Sequence, residues 1–229
     1  MDQAFGLRPG ELLKLEGIRA LVVGMEKSGR AAFEFLHARG AIVTAADLKP
    51  HDVADFRPQT DDLFDEDWDL IVPSPGVPLD LPALERATAR GVNVIGEVEL
   101  AAPYLLGPVI GITGSNGKTT TTSLVGHILT SSKTPVQVGG NIGTPVIAMT
   151  ATSRPDQWNV LELSSFQLET IAEFHADIAV ACAIRFTREA HPALFGAGRW
   201  PALTAHAERC EALPVFCRIV QPFSPPGDY

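Results

Sequence analysis

The sequence has 229 residues, 45% hydrophobic and 20% charged, with a formal net charge of −9. This is ordinary globular composition with room for one or two domains, each able to bury a core. The acidic balance withholds the long-range attraction that nucleic-acid and anionic-membrane binders use, so a phosphate ligand has to be held by loop amides, a helix N-terminus or a single lysine.

In chain order, Ile18–Val23 is a short β-rich run closed by Gly24. Ser28 opens a helical pattern with Ala31, Ala32, Phe35 and Leu36 apolar, ending at Gly40. Ala41–Ala46 reads as a second strand ending at Asp47, and Leu70–Val72 as a third, broken by Pro73-Ser74-Pro75-Gly76. Leu81–Arg90 reads as a helix and Val92–Ile95 as a strand. Strand and helix alternating in this way imply a parallel sheet with right-handed crossovers. Pro103–Pro108 reads as a junction. Beyond it, strands are predicted at Val109–Thr113, Pro135–Val138, Asn159–Leu163 and Asp177–Ala181, with a helix over Thr119–Leu129. No internal repeat is visible. This gives an α/β unit over residues 1–103 and a second over 104–181.

The tail from 182 to 229 differs. It holds all three cysteines (Cys182, Cys210, Cys217) and prolines at 192, 201, 214, 222, 225 and 226, and no lysine follows Lys133. Its apolar residues keep neither a strand nor a helix period, which reads as a frameshift or truncation, with divergence as the alternative. The cysteines are too few and too irregular for a disulfide framework or a zinc site and read as free thiols of the cytoplasm. Residues 1–10 lack the pattern of a signal peptide, and no run approaches the ~20 apolar residues of a membrane helix.

The strongest chemical signal is the loop Gly114, Ser115, Asn116, Gly117, Lys118, Thr119, Thr120 between a strand and a helix. Glycines let successive amides turn inward around a phosphate, the helix N-terminus adds partial positive charge, Lys118 reaches the β/γ phosphates and the Thr119 hydroxyl is placed for Mg²⁺. The strict G-x-x-x-x-G-K-[ST] pattern wants glycine where Ile112 stands, so the loop is a shortened variant. Glu162, at a strand end before Ser164-Ser165, is either a second Mg²⁺ ligand or a plain surface glutamate. Gly139-Gly140-Asn141-Ile142-Gly143-Thr144-Pro145 reads as a glycine-rich loop that exposes amides to a ligand, or as a simple connection.

In the first unit, Gly24–Gly29 lies between strand and helix, the usual seat of a nucleotide diphosphate, but Glu26 replaces the second glycine of a dinucleotide fingerprint. Ser28, Gly29, Asp47, Ser74, Pro75 and Gly76 all fall at strand carboxyl ends and outline one crevice, with Asp47 a candidate acceptor for a nucleoside. Nucleophilic catalysis has no support: no G-x-S-x-G elbow occurs, and His175 and His191 read as ordinary histidines.

Thr113–Thr120 resembles the ATP loop of the Mur ligases, and Gly139–Pro145 and Glu162–Glu169 resemble two further motifs of the branch that adds D-glutamate. Gly24–Gly29, Ser74–Gly76 and Gly96–Leu100 fit the N-terminal domain of that branch, so the resemblance runs from about residue 7 to 181. It implies a Rossmann-like parallel-sheet domain for the UDP substrate, followed by part of a P-loop central ATPase domain. The implied chemistry is cytoplasmic peptidoglycan-precursor synthesis by a monomer with no nucleic-acid or membrane partner. ATP phosphorylates UDP-N-acetylmuramoyl-L-alanine, and D-glutamate attacks the acyl phosphate. Lys118 and Glu162 would be catalytic, with Mg²⁺ on Thr119 and Glu162. Ser28, Gly29, Asp47, Ser74, Pro75 and Gly76 would face uridine and diphosphate, and Asn141 and Ser164 the sugar-peptide end. The family's metal-binding histidine and carbamylated lysine have no secure counterpart here, His191 being a weak match, and its C-terminal domain is absent. A non-catalytic nucleotide or UDP-sugar binder and a folylpolyglutamate-synthase-like ligase are the alternatives.

Overall fold

The computed structural model describes residues 13–114 and 117–179. Their elements run β1 (Arg19–Val23), α1 (Lys27–His37), β2 (Ile42–Asp47), β3 (Phe56–Pro58), a 3₁₀ turn (Asp61–Asp65), β4 (Leu70–Pro73), α2 (Pro82–Ala89), β5 (Asn93–Val94), α3 (Glu97–Ala101) and a 3₁₀ turn (Ala102–Tyr104). Then come β6 (Val109–Ile112), α4 (Lys118–Ser131), β7 (Val136–Gly140), α5 (Val146–Met149), β8 (Trp158–Glu162), α6 (Ser165–Leu168) and β9 (Ile178–Ala179).

Two sheets form, ordered β3-β2-β1-β4-β5 and β7-β8-β6-β9. Every strand pairing in them is parallel. Parallel strands need helical crossovers, and those cover both faces, so the central strands read as unbroken apolar runs. β1 shows why. Ala20 and Val22 enter one buried cluster and Leu21 and Val23 another, because successive side chains alternate across the sheet. The second cluster, with Phe64, Trp68, Ile71 and Leu84, fills the space under α2. The first continues through Val98, Leu100 and Ala101 of α3 to Val109, Val146, Ile147, Met149, Leu161 and Leu163. One apolar core therefore spans both sheets.

The α/β architecture follows the sequence reading, with local corrections. Gly139 and Gly140 belong to β7 and pair with Leu161 and Glu162, so the expected loop from 139 begins only at Asn141. Ladder pairing with a buried central strand outweighs the weak strand preference of glycine. The region read as a strand end running into a junction contains α3 and the turn after it. With five residues, α3 is far too short to be stable by propensity, and it exists because its residues are buried. β3 is an edge strand of three residues with no apolar pattern to signal it. Of the strand expected over Asp177–Ala181, β9 covers Ile178–Ala179. Residues 180 and 181 and the tail, with the cysteines and His191, lie outside the described residues.

Leu100 is fully buried between the two sheets. Leu100→Ala is expected to cost about 2–5 kcal/mol in denaturant unfolding, the usual cost of a large cavity in a core. A smaller loss would show that the core does not bridge the sheets as described.

Candidate functional site

β6 ends at Ile112, and its neighbour in the ladder is Glu162 at the end of β8. Between β6 and α4 the chain passes Gly114, at φ 141°, and Gly117, at φ 76°. The left-handed value at Gly117 is what swings the loop into α4, whose N-terminus has no side-chain cap. Ser115 and Asn116 lie outside the described residues. The Lys118 ammonium donates to the Gly114 carbonyl at 2.7 Å, closing the loop on itself. Thr119 and Thr120 are exposed beside it.

Glu162 is buried, so it is not a surface glutamate. Its Oε1 accepts from the Asn141 side-chain amide at 3.0 Å, and its carbonyl accepts from the Asn141 backbone N–H at 2.8 Å. Its Oε2 is buried and has no partner among the described residues. An unpaired carboxylate oxygen out of water is costly unless a cation or donor completes it. Ser164 caps α6 in a capping box with Gln167, giving the turn after Glu162 a fixed shape.

In the first sheet, the Gly24–Met25 turn is pinned from both neighbouring strands. The Ser74 hydroxyl donates to the Gly24 carbonyl at 2.6 Å. Asp47 accepts from the Met25 amide at 2.6 Å and the Lys49 amide at 3.0 Å, and His51 lies 3.3 Å away. Burial alone would raise the Asp47 pKa, but the Met25 and Lys49 amides and His51 outweigh it and hold the carboxyl below its ordinary value. Asp47 thus shapes the turn from within. Gly29 is buried in the first turn of α1, where a Cβ would overlap the Gly24 carbonyl. α1 has no side-chain cap at its N-terminus. Ser28 stands half-buried at that end.

The two sheets meet around a cleft of about 590 Å³. Ser74, Pro75 and Gly76 line one wall, Phe166, Gln167 and Thr170 the other, with Glu97 also lining it. Three ties cross the junction. Lys27 donates to the Gly143 carbonyl. Glu97 accepts from the Ile147 amide at 2.5 Å. Glu99 accepts from three successive amides, Ala172 (3.0 Å), Glu173 (2.8 Å) and Phe174 (3.1 Å). The roles of Lys27, Glu97, Glu99 and Gln167 were missed in the sequence. The signals available were two acids spaced i, i+2 in the apolar run Glu97–Leu100 and the place of all four residues within segments that resemble the family's.

Two parallel α/β sheets, each with a glycine turn feeding a helix N-terminus and a cleft between them, define a nucleotide-site class of fold. The comparisons narrow this. The MurD-like N-terminal domain of Mur ligases matches residues 18–96, and the Mur ligase middle domain matches residues 112–188. The UDP-N-acetylmuramoylalanine–D-glutamate ligase of Solibacter usitatus is 65% identical over 177 residues, which is 74% of this chain and 40% of that protein. The enzymes of the same name from Koribacter versatilis and Acidobacterium capsulatum are 50% and 49% identical over 73% of the chain. The chain belongs to the Mur ligase family. It spans about 40% of the length of these relatives.

Burial raises the Glu97 pKa from its ordinary 4.5 to about 7, against the opposing pull of the Ile147 amide and Gln167. The folded chain therefore holds the proton more tightly than the unfolded chain. The stability this gives is complete below about pH 4.5 and is lost as pH rises through about 7. Melting temperatures of the native chain and of Glu97→Gln, taken from pH 5 to 8, are expected to differ most at pH 5, with the native chain higher, and to converge as pH rises. A constant difference would show that Glu97 does not titrate there. Gly29→Ala is expected to destabilise the chain by roughly 1–3 kcal/mol through overpacking, read by thermal unfolding.

Proposed function

We propose that this chain carries the UDP-substrate-binding and ATP-binding units of a ligase that joins D-glutamate to UDP-N-acetylmuramoyl-L-alanine in building peptidoglycan precursors. The observation that carries the reading is the buried Oε2 of Glu162, which has no partner among the described residues and lies directly opposite Ile112, the strand end that feeds the glycine loop. A carboxylate oxygen held that way suits a divalent cation bound beside a triphosphate. Mg²⁺ held by Glu162 and the Thr119 hydroxyl would neutralise charge on the phosphates. The amides of Gly114–Thr120 and the N-terminus of α4 receive the phosphate oxygens, and Lys118 leaves the Gly114 carbonyl for the β/γ phosphates. Asn141 holds Glu162 in orientation.

The γ-phosphoryl group passes to the terminal carboxylate of the UDP substrate. The D-glutamate amine then attacks the acyl phosphate, releasing phosphate and leaving an amide and ADP. The N-terminus of α1, Ser28, Gly29 and the Ser74–Gly76 turn hold the diphosphate and uridine, while Asn141 and Ser164 face the sugar-peptide end. The proposal includes a division between the units near residue 103, a cytoplasmic location and a monomer. A second reading is binding of both nucleotides without turnover.

Lys118→Ala is expected to weaken ATP binding in the presence of Mg²⁺ at least tenfold by titration calorimetry, about 1.4 kcal/mol. Unchanged affinity would remove the loop from the site. Glu162→Gln is expected to abolish the Mg²⁺ dependence of that affinity. A coupled ADP-release assay with UDP-N-acetylmuramoyl-L-alanine and D-glutamate separates the readings, since turnover that requires both substrates rejects the binding-only one.

A further inference from the structure

The cleft floor holds an unexplained pair of polar atoms. Glu97 and Gln167 are each 3% exposed, one on α3, which packs on α1 and α5, and one on α6. Glu97 spends Oε1 on the Ile147 amide, and its Oε2 is buried with no partner among the described residues. Gln167 spends its Oε1 on the Ser164 amide at 2.9 Å and hydroxyl at 3.1 Å, and its Nε2 is likewise buried with no partner among the described residues. One orphan is an acceptor, the other a donor, and the Gln167 amide lies close enough to bear on the ionisation of Glu97. Both residues line the cleft.

We propose that Glu97 is a positioning residue for the cleft: it joins the Ile147 amide to the Gln167 amide and thereby fixes the Ser164–Gln167 turn opposite Ser74–Gly76. Two buried orphans are each costly, and joining them removes both costs at once. The carboxyl acts through Gln167. Gln167 holds Ser164 through the capping box, and Ser164 stands two residues beyond Glu162. A rotation that opened the junction would break the Glu97 tie and carry the α6 wall away from the Ser74 wall. That the cleft receives the UDP substrate rests on the proposed function above; the pairing itself does not.

The chemistry permits a reciprocal exchange. In Glu97→Gln with Gln167→Glu, the new amide at 97 still accepts from Ile147 and donates across the junction. The new carboxylate at 167 still accepts from Ser164, since glutamate serves a capping box as well as glutamine. Each single variant instead faces amide against amide or carboxyl against carboxyl. The full 229-residue chain is prepared in four forms: native, both singles and the double. Thermal unfolding and calorimetric titration with UDP-N-acetylmuramoyl-L-alanine are measured on each. Each single is expected to lose melting temperature and at least fivefold in affinity, and the double to recover to within about twofold of native in affinity. Losses that simply add in the double, in both measurements, overturn the pairing. Recovery of melting temperature without recovery of affinity overturns the positioning role. If the native chain does not bind the UDP compound, the reading of the cleft fails, and the melting cycle alone still decides the pairing.

Discussion

The arrangement of this molecule depends on two carboxylates carried into the boundary between its sheets by one five-residue helix. Removing a carboxylate from water costs several kcal/mol unless donors replace the solvent. Glu99 meets this with three consecutive backbone amides, a concavity of the kind that holds anions elsewhere. Glu97 has one short bond from Ile147 and an oxygen left over. Because the donors belong to the second sheet and the carboxylates to α3, the two acids recognise the partner unit by its main chain. The apolar core that runs from β1 through Leu100 to Leu161 supplies the adhesion, and the carboxylates supply the register.

With that junction fixed, the position of the chemistry follows from strand direction. In an all-parallel sheet the connections after every strand emerge on one edge, and ligands collect there. Gly24, Asp47 and Ser74 are far apart in sequence but follow adjacent strands β1, β2 and β4, so they close on one turn. Gly114, Asn141 and Glu162 gather in the same manner at the ends of β6, β7 and β8. The cleft at the junction is lined by Ser74–Gly76 from the first edge and by Phe166, Gln167 and Thr170, which follow β8, from the second. A ligand long enough to carry a nucleoside diphosphate at one end and a reactive carboxylate at the other suits such a separation.

Much of this was legible in the chain. The apolar runs at 18–23, 41–46, 70–72 and 109–113, each closed by a glycine, aspartate or proline, announced parallel strands because burial on both faces leaves no polar alternation. The Gly117-Lys118-Thr119 turn was legible as a glycine turn feeding a helix, and Gly117 takes the left-handed φ that such a turn requires. Asp47 was legible as important but not in its role. From sequence it was a free acceptor at a strand end, whereas in the fold it is spent largely on Met25, Lys49 and His51. The glycines at 139 and 140 misled because local propensity counts for less than a buried ladder partner.

The sequence by itself determined the strand–helix alternation, the glycine turns and the acids and lysine available to them, since periodicity, φ preference and chemical type are properties of neighbours along the chain. Only the tertiary structure decided that Glu162 is buried with one oxygen unspent among the described residues, that α3 exists as a helix, and that Glu97 and Gln167 line one cleft. Each depends on contacts between residues roughly 20 to 70 positions apart, and no local pattern encodes which donor a buried carboxylate will meet.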